Sequence, residues 1–145
     1  MEPYKFLSFL AFSLILSCCN GQNSGKTMAK NQTISKIEVI DFHSTHRCMT
    51  CNAIEASTKY TLQTYFEEEI KAGKITFLVV NVDKEENEQI AENFEASGTA
   101  LFLNVIKEGK EKHINLTEFA FLKGNKKEEF ARELKLKIEN ELKTL

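Results

Sequence analysis

Two cysteines separated by two residues, Cys48-Met49-Thr50-Cys51, are the residues best suited to chemistry. They stand between an apolar run that predicts a strand and a long helical pattern, which places them at a strand-loop-helix junction. At this spacing and in this context a cysteine pair is typical of a redox-active dithiol. The sequence therefore predicts two-electron thiol-disulfide exchange.

Cys48 is the expected nucleophile of the pair. Amides at a helix N-terminus carry partial positive charge, and His46 and Arg47 stand beside Cys48. Both features favour its thiolate below the ordinary thiol pKa of about 8.5. Cys51, one turn into the helix, would resolve the mixed disulfide by attacking Cys48 and releasing the reduced partner.

Four polar residues are candidates for tuning this dithiol: Arg47, His46, His43 and Asp41. Asp41, near the end of the predicted first strand, could accept the proton of Cys51, although such a residue is as often simply hydrogen-bonded or hydrated. Each histidine is more often simply a polar residue with a structural partner. Arg47 is expected to face solvent while its charge still favours the Cys48 thiolate.

Other uses of the pair stay open. A purely structural disulfide would more often link distant segments, because so small a loop constrains the unfolded chain least. A zinc site would need two more ligands, for which His43 and His46 are the nearby candidates. Two copies of the chain could also bring four thiolates together around a metal or an iron-sulfur cluster.

The N-terminus predicts export and lipidation. Residues 6–16 form an apolar run behind Lys5 that is too short to span a bilayer comfortably, so residues 1–17 are expected to be a lipoprotein signal peptide. The run from Leu14 to Cys18 resembles a bacterial lipobox, which makes Cys18 the expected lipid-bearing residue and Cys19 the alternative. We therefore expect a membrane-anchored lipoprotein of the bacterial cell envelope, with its domain in the periplasm.

The rest of the chain predicts a flexible tether and one domain. Residues 18–35 are polar and rich in Gly, Ser and Asn, which is typical of a tether, and residues 36–145 are of single-domain size. The formal net charge of −2 and the lack of any Lys/Arg stripe argue against a nucleic-acid partner.

Hydrophobic periodicity predicts the element order β-α-β-α-β-β-α. The predicted strands lie at 36–43, 75–82, 99–106 and 113–117, with the second as a central strand and the last two joined by a hairpin turn at residues 108–110. The predicted helices lie at about 49–71 and 85–95, and a last helix is capped by Asn125 with Glu128. Right-handed crossovers then give an α/β fold, a three-layer α/β/α arrangement around a small mixed β-sheet.

Over about residues 36–143 the sequence resembles the thioredoxin-like superfamily. The resemblance lies in Val39-Ile-Asp-Phe42, the cysteine pair, Val80-Asn-Val-Asp83 and Gly98-Thr99-x-Leu-Phe102. It implies a thioredoxin-like fold, catalytic roles for Cys48 and Cys51, and no organic cofactor. Substrate docking would lie beside Thr99 and Ala100. Ala100 stands where thioredoxins have a cis-proline, and we expect a trans peptide before it because a cis bond to a non-proline residue costs about 2.5–4 kcal/mol.

The motif from Phe42 to Glu55 more narrowly resembles the thioredoxin-like subunit family of bacterial nitrophenyl-arsenical nitroreductase systems. This resemblance implies a membrane thiol-electron transporter and a protein or small-molecule redox partner outside the cytoplasm. The leading hypothesis is thus a membrane-tethered thiol-disulfide oxidoreductase that transfers electrons through Cys48 and Cys51. The alternatives are a metal-binding or metal-delivery module that uses the same cysteines and a non-catalytic thioredoxin-like subunit.

Overall fold

The computed structural model describes residues 35–145, and the fold presented here is that of this part of the chain. The predicted signal peptide, the lipidation candidates Cys18 and Cys19, and nearly all of the predicted tether lie outside the described residues. Within the described part, no helix is both long enough and apolar enough to cross a membrane.

Four strands form one mixed sheet. They are β1 (Lys36–His43), β2 (Ile75–Asn81), β3 (Ala100–Lys107) and β4 (Lys110–Asn115), in the spatial order β2-β1-β3-β4. β1 runs parallel to β2 and antiparallel to β3. β3 and β4 form the predicted hairpin, whose two turn residues both have positive φ, 52° at Glu108 and 78° at Gly109, as a tight two-residue turn requires.

Five α-helices surround the sheet. They are α1 (Met49–Tyr65), α2 (Glu67–Lys71), α3 (Glu88–Asn93, preceded by one 3₁₀ turn), α4 (Thr117–Lys123) and α5 (Lys127–Leu142). The parallel pair β1 and β2 is connected through α1 and α2, while α3 connects β2 to β3. The arrangement confirms the predicted α/β class with helices packed on a small mixed sheet.

Alternation along β1 decides which residues lie beneath which helices. Ile37 and Val39 belong to a core that includes buried residues of α1 and α5, whereas Ile40 and Phe42 belong to a second core that includes Phe94 beyond α3. Successive side chains of a strand point to opposite faces, so Asp41 shares the face of Ile37 and Val39. The strand therefore places a carboxyl group beneath α1, the helix that begins at the cysteine pair.

Two predicted elements differ from the structure. The helix predicted over 49–71 is interrupted at Phe66, which adopts a non-helical φ of −134° and is buried. The second strand, predicted to be central, lies at an edge of the sheet, where Leu78 and Val79 keep 37% and 41% of their surface exposed. Its apolar run satisfied the pattern of a fully buried strand, although no further strand covers its outer side among the described residues.

The region before the last helix also differs. α4 was not predicted, and the predicted N-cap is wrong because α5 begins at Lys127 and its N-cap position, Lys126, makes no side-chain capping bond. The side-chain amide of Asn125 instead donates to Thr50 Oγ1 at 3.2 Å. The junction between α4 and α5 is thereby attached to the first turn of α1.

Gly124, at the end of α4, allows this close approach to α1. A Cβ atom there would lie 2.8 Å from both Ile54 Cγ1 and the Ala120 carbonyl oxygen. We predict that Gly124→Ala lowers the free energy of unfolding by about 1–3 kcal/mol, the usual cost of overpacking. Gly98→Ala is the matched control, because its nearest neighbour would be Ser44 Oγ at 3.8 Å. Equal stability of the two variants in urea denaturation would contradict this account of the junction.

Candidate active site

The cysteine pair forms the N-terminus of α1. Cys48 is the N-cap residue, and its Sγ accepts a hydrogen bond from the Cys51 backbone amide at 3.1 Å. The two residues are joined by a disulfide, with their Cα atoms 5.1 Å apart. Cys48 is exposed and Cys51 keeps only 7% of its surface. An incoming sulfur can therefore reach Cys48, while Cys51 can react only with its neighbour.

The loop before Cys48 is fixed by the C-terminal end of β2. The Thr45 backbone amide donates to Asp83 Oδ2 at 2.6 Å, and Asn81 Nδ2 donates to Thr45 Oγ1 at 3.1 Å. The hydrogen bond from the Thr45 amide lowers the pKa of Asp83, so this carboxylate stays charged. Sequence reasoning assigned Asp83 no role at the site and did not predict this contact, which holds the loop before Cys48.

Asp41 lies on the inner side of this loop with no exposed surface. Its Oδ2 is 3.3 Å from Nη2 of Arg47, and the same nitrogen lies 3.4 Å from the carbonyl oxygen of Cys51. The prediction that Arg47 faces solvent is wrong, since only 18% of its side chain is exposed. The buried carboxylate attracts the guanidinium inward, so the charge of Arg47 is directed at Asp41 and the carbonyl of Cys51.

Glu55 completes an ion-pair network on α1. It accepts from Arg47 Nη1 and from Lys59 Nζ. Partial burial raises the pKa of Glu55, but the hydrogen bonds from Lys59 and Arg47 outweigh it and the net shift is downward. Sequence reasoning did not assign Glu55 to the site. The available signal was the Glu55/Lys59 spacing, which by itself indicates only an i,i+4 pair on a helix surface.

Asp41 has an unusually high pKa for a carboxyl group because it is buried. Burial raises its pKa from 3.8 to about 7; the positive charge of Arg47 lowers the pKa, and the negative charge of Glu55 raises it. Its second oxygen, Oδ1, finds no hydrogen-bond partner among the described residues. The carboxyl group of Asp41 thus exchanges its proton near neutral pH. It is linked to the backbone of Cys51 through the guanidinium of Arg47.

The other predicted site residues take different positions. His43 is half-buried and its Nδ1 lies 2.9 Å from the Ser44 carbonyl oxygen, whereas His46 is exposed. Ala100 is buried and pairs with Phe42 across β1 and β3, and Thr99 beside it is half-buried. Residues 35–145 contain no group of three or more His, Cys, Asp or Glu side chains arranged to hold a metal ion. The metal hypothesis therefore rests on the cysteine pair alone in this part of the chain.

The unpredicted helix α4 borders the cysteine pair. At its first residue, Thr117 Oγ1 accepts a hydrogen bond from the Leu101 amide, one residue after Ala100. Beyond its last residue, Asn125 contacts Thr50 between the cysteines. α4 therefore connects the start of β3 to the first turn of α1, and it carries two exposed apolar side chains, Phe121 and Leu122.

Known structures share this architecture. The Trx4 domain of ERdj5 superimposes with a TM-score of 0.52 at 14% identity, over 76% of this chain and 82% of that domain. The fold is thioredoxin-like. Mitochondrial thioredoxin 3 from Saccharomyces cerevisiae, in its oxidised form, also matches, with 24% identity over 63% of this chain and 78% of that one and a TM-score of 0.41. For Fasciola hepatica thioredoxin the identity is 21%, the coverage 61% and 76%, and the TM-score 0.39.

No protein-family model matches the chain, and a search of curated proteins finds no significant match. The structural similarity therefore shows the thioredoxin-like fold, and the function must be argued from the site itself.

The raised pKa of Asp41 predicts how the free energy of unfolding depends on pH. Because its folded-state pKa lies above the ordinary value, the folded protein binds more protons than the unfolded chain between about pH 4 and pH 7. The contribution of this group to stability is complete below about pH 4 and is lost as the pH rises to about 7. Replacing the carboxylate with a neutral amide, Asp41→Asn, should therefore raise the free energy of unfolding at pH 8 by about 1–3 kcal/mol.

Urea denaturation of the oxidised protein at pH 5 and at pH 8 measures this effect, and the gain should shrink at the lower pH. Asp83→Asn is the control, because its pKa is shifted in the opposite direction and its removal should bring no gain. A loss of stability at pH 8 in Asp41→Asn would show that the ion pair with Arg47 outweighs the burial cost.

Proposed function

We propose that the protein is a thiol-disulfide oxidoreductase. The observation that carries the proposal is the arrangement of the pair, with an exposed Cys48 at the N-cap of α1 bonded to a buried Cys51. A helix N-terminus favours a thiolate over a thiol, and a thiolate is the attacking species in disulfide exchange. The residues nearest to the pair supply both a cation and a proton acceptor.

The reaction proceeds in two balanced steps. In the reduced protein, the Cys48 thiolate attacks one sulfur of a partner disulfide, which forms a Cys48-partner disulfide and releases the other sulfur as a thiolate. Cys51 then loses its proton, and its thiolate attacks Sγ of Cys48, which releases the second partner sulfur. The two cysteine sulfurs lose two electrons and the partner disulfide gains them; the Cys51 proton and the proton that Cys48 lost to solvent on ionising balance the two released thiolates.

Asp41 is the proposed carrier of the Cys51 proton. The thiol of Cys51 is shielded from solvent, so a nearby acceptor must remove its proton before the second attack. A carboxyl group whose pKa lies near 7 can accept this proton and return it at neutral pH. Arg47 Nη2 lies 3.3 Å from Asp41 Oδ2 and 3.4 Å from the Cys51 carbonyl oxygen, which links the proposed acceptor to the backbone of the resolving cysteine.

The proposed setting is the bacterial cell envelope. The apolar run at residues 6–16 followed by Cys18 and Cys19 supports a lipid anchor, and the polar stretch at 18–35 supports a tether that holds the domain in the periplasm. There the dithiol would need an electron source, for which we propose a membrane thiol-electron transporter. A protein or small-molecule disulfide would be the acceptor.

The narrower assignment to a nitrophenyl-arsenical nitroreductase system is a further part of the proposal. It is supported by the motif from Phe42 to Glu55. Within this motif Arg47 pairs with Glu55, and Thr50 accepts a hydrogen bond from Asn125. In such a system the domain would deliver electrons to a reductase subunit.

Single cysteine replacements test the mechanism. With Cys18 and Cys19 both changed to serine as background, Cys51→Ser should accumulate a mixed disulfide with glutathione or 5-thio-2-nitrobenzoate, because the resolving thiol is missing. Cys48→Ser should form such an adduct at least 10-fold more slowly, since its remaining thiol is buried. Intact mass measurement after brief oxidation distinguishes the two.

Equal adduct formation by the two variants would contradict the assignment of Cys48 as nucleophile. The background protein, which keeps both Cys48 and Cys51, is the control and should instead form the internal disulfide with no lasting adduct.

A further inference from the structure

Asp41 and Glu55 share a single guanidinium. We propose that Arg47 is a positioning residue for which these two carboxylates compete, so that Glu55 governs when Asp41 can take a proton from the dithiol. This inference rests on the proposed oxidoreductase function and assigns a regulator to its proton transfer. Glu55 would act on the reaction through Arg47 and Asp41 and would not itself contact the reacting sulfurs.

The geometry supports unequal competition. Nη1 of Arg47 contacts Glu55 closely, whereas Nη2 is shared between Asp41 Oδ2 at 3.3 Å and the Cys51 carbonyl oxygen at 3.4 Å. Charge-assisted pairs between a guanidinium and a carboxylate are usually 2.7–2.9 Å long. The arginine is therefore held mainly by Glu55 and only in part by Asp41, although Asp41 is the more deeply buried acid.

The surroundings of Asp41 contain few other charges. Its cross-strand neighbours are Val79 on β2 and Leu101 on β3, both apolar. The buried residues of α5 are also apolar: Phe130, Ala131, Leu134 and Ile138. The charged groups that act on Asp41 are Arg47 from the loop and Glu55 and Lys59 from α1, and Lys59 is half-exposed and paired with Glu55. The pKa of Asp41 therefore depends mainly on its burial and on the charges of Arg47 and Glu55.

This arrangement predicts that the pKa of Asp41 shifts in opposite directions when the charge of Arg47 or the charge of Glu55 is removed. Removal of the arginine charge leaves Asp41 with the negative Glu55 and the half-exposed Lys59, and the loss of the nearest positive charge favours the protonated form of Asp41. Removal of the Glu55 charge ends that repulsion and frees Arg47 to pair more fully with Asp41, which favours the ionised form. A merely structural role of the network would not produce shifts of opposite sign.

The test uses the full chain with its disulfide intact, in the variants Arg47→Gln and Glu55→Gln. Carboxyl NMR of isotopically labelled aspartate follows the protonation of Asp41 directly from pH 5 to pH 9. The titration midpoint should rise by roughly one pH unit in Arg47→Gln and fall by roughly one unit in Glu55→Gln. Arg47→Lys, which keeps the charge, should shift it less than Arg47→Gln, and this variant carries the test if Arg47→Gln does not fold.

Lys71→Gln is the control, because Lys71 pairs with Glu67 in an exposed helix pair away from the site and should leave the midpoint unchanged. The pH dependence of exchange with a small organic disulfide, measured on the reduced variants, should shift in the same two directions. Shifts of equal sign, or no shift in either variant, would overturn the proposal. If the unmodified protein shows no exchange at any pH, the oxidoreductase function fails, while the NMR titration still decides whether Arg47 and Glu55 control the protonation of Asp41.

Discussion

The burial of Asp41 beside a guanidinium that it shares with Glu55 is the constraint on which the arrangement of the site depends. A carboxyl group with no exposed surface loses its hydration, and this loss is tolerable only if the group takes a proton or gains a counter-charge. Here the counter-charge comes from the residue that directly precedes the exposed cysteine. Arg47 contacts Glu55 and Asp41, and its Nη2 lies 3.4 Å from the Cys51 carbonyl oxygen in the first turn of α1. Cys48 is left exposed at the N-cap while Cys51 is covered.

Several parts of the fold cooperate to hold that geometry. The alternation of β1 directs Asp41 towards α1, and the parallel neighbour β2 ends beside the loop, where Asn81 and Asp83 hold Thr45. On the other side of the pair, the junction between α4 and α5 contacts Thr50 through Asn125. The loop and the start of the helix are therefore fixed at both ends, which preorganises the cysteines.

The sequence was sufficient to predict the elements with strong local signals. β1 has the predicted bounds of Lys36 and His43, the Glu108-Gly109 turn forms a hairpin, and the cysteine pair starts a helix. Asp41 could be selected because it lies on the strand that leads to the cysteines. In each case residues near one another in sequence determine the outcome, so periodicity and spacing carry the information.

The missed features depend on partners that are distant in sequence or on competition between equally plausible contacts. Asn125 has the pattern of an N-cap, but Thr50, 75 residues away, offers its hydroxyl group instead. Glu55 reads as half of a surface pair with Lys59 until the fold brings Arg47 to it. The seven-residue helix α4 is too short to show a reliable period. β2 lies at an edge because, among the described residues, no strand pairs with its outer side. The residues of β2 themselves do not reveal this position.

The equilibrium reduction potential of the Cys48/Cys51 pair tests the central claim most directly. It would be titrated against glutathione and dithiothreitol buffers with metal ions chelated and with Cys18 and Cys19 replaced by serine. The account predicts one reversible two-electron transition, with about 30 mV per tenfold change in the ratio of oxidised to reduced protein and a midpoint between about −270 and −120 mV. A midpoint below about −300 mV would indicate a structural disulfide, and the absence of a reversible transition would equally contradict a role in thiol-disulfide exchange.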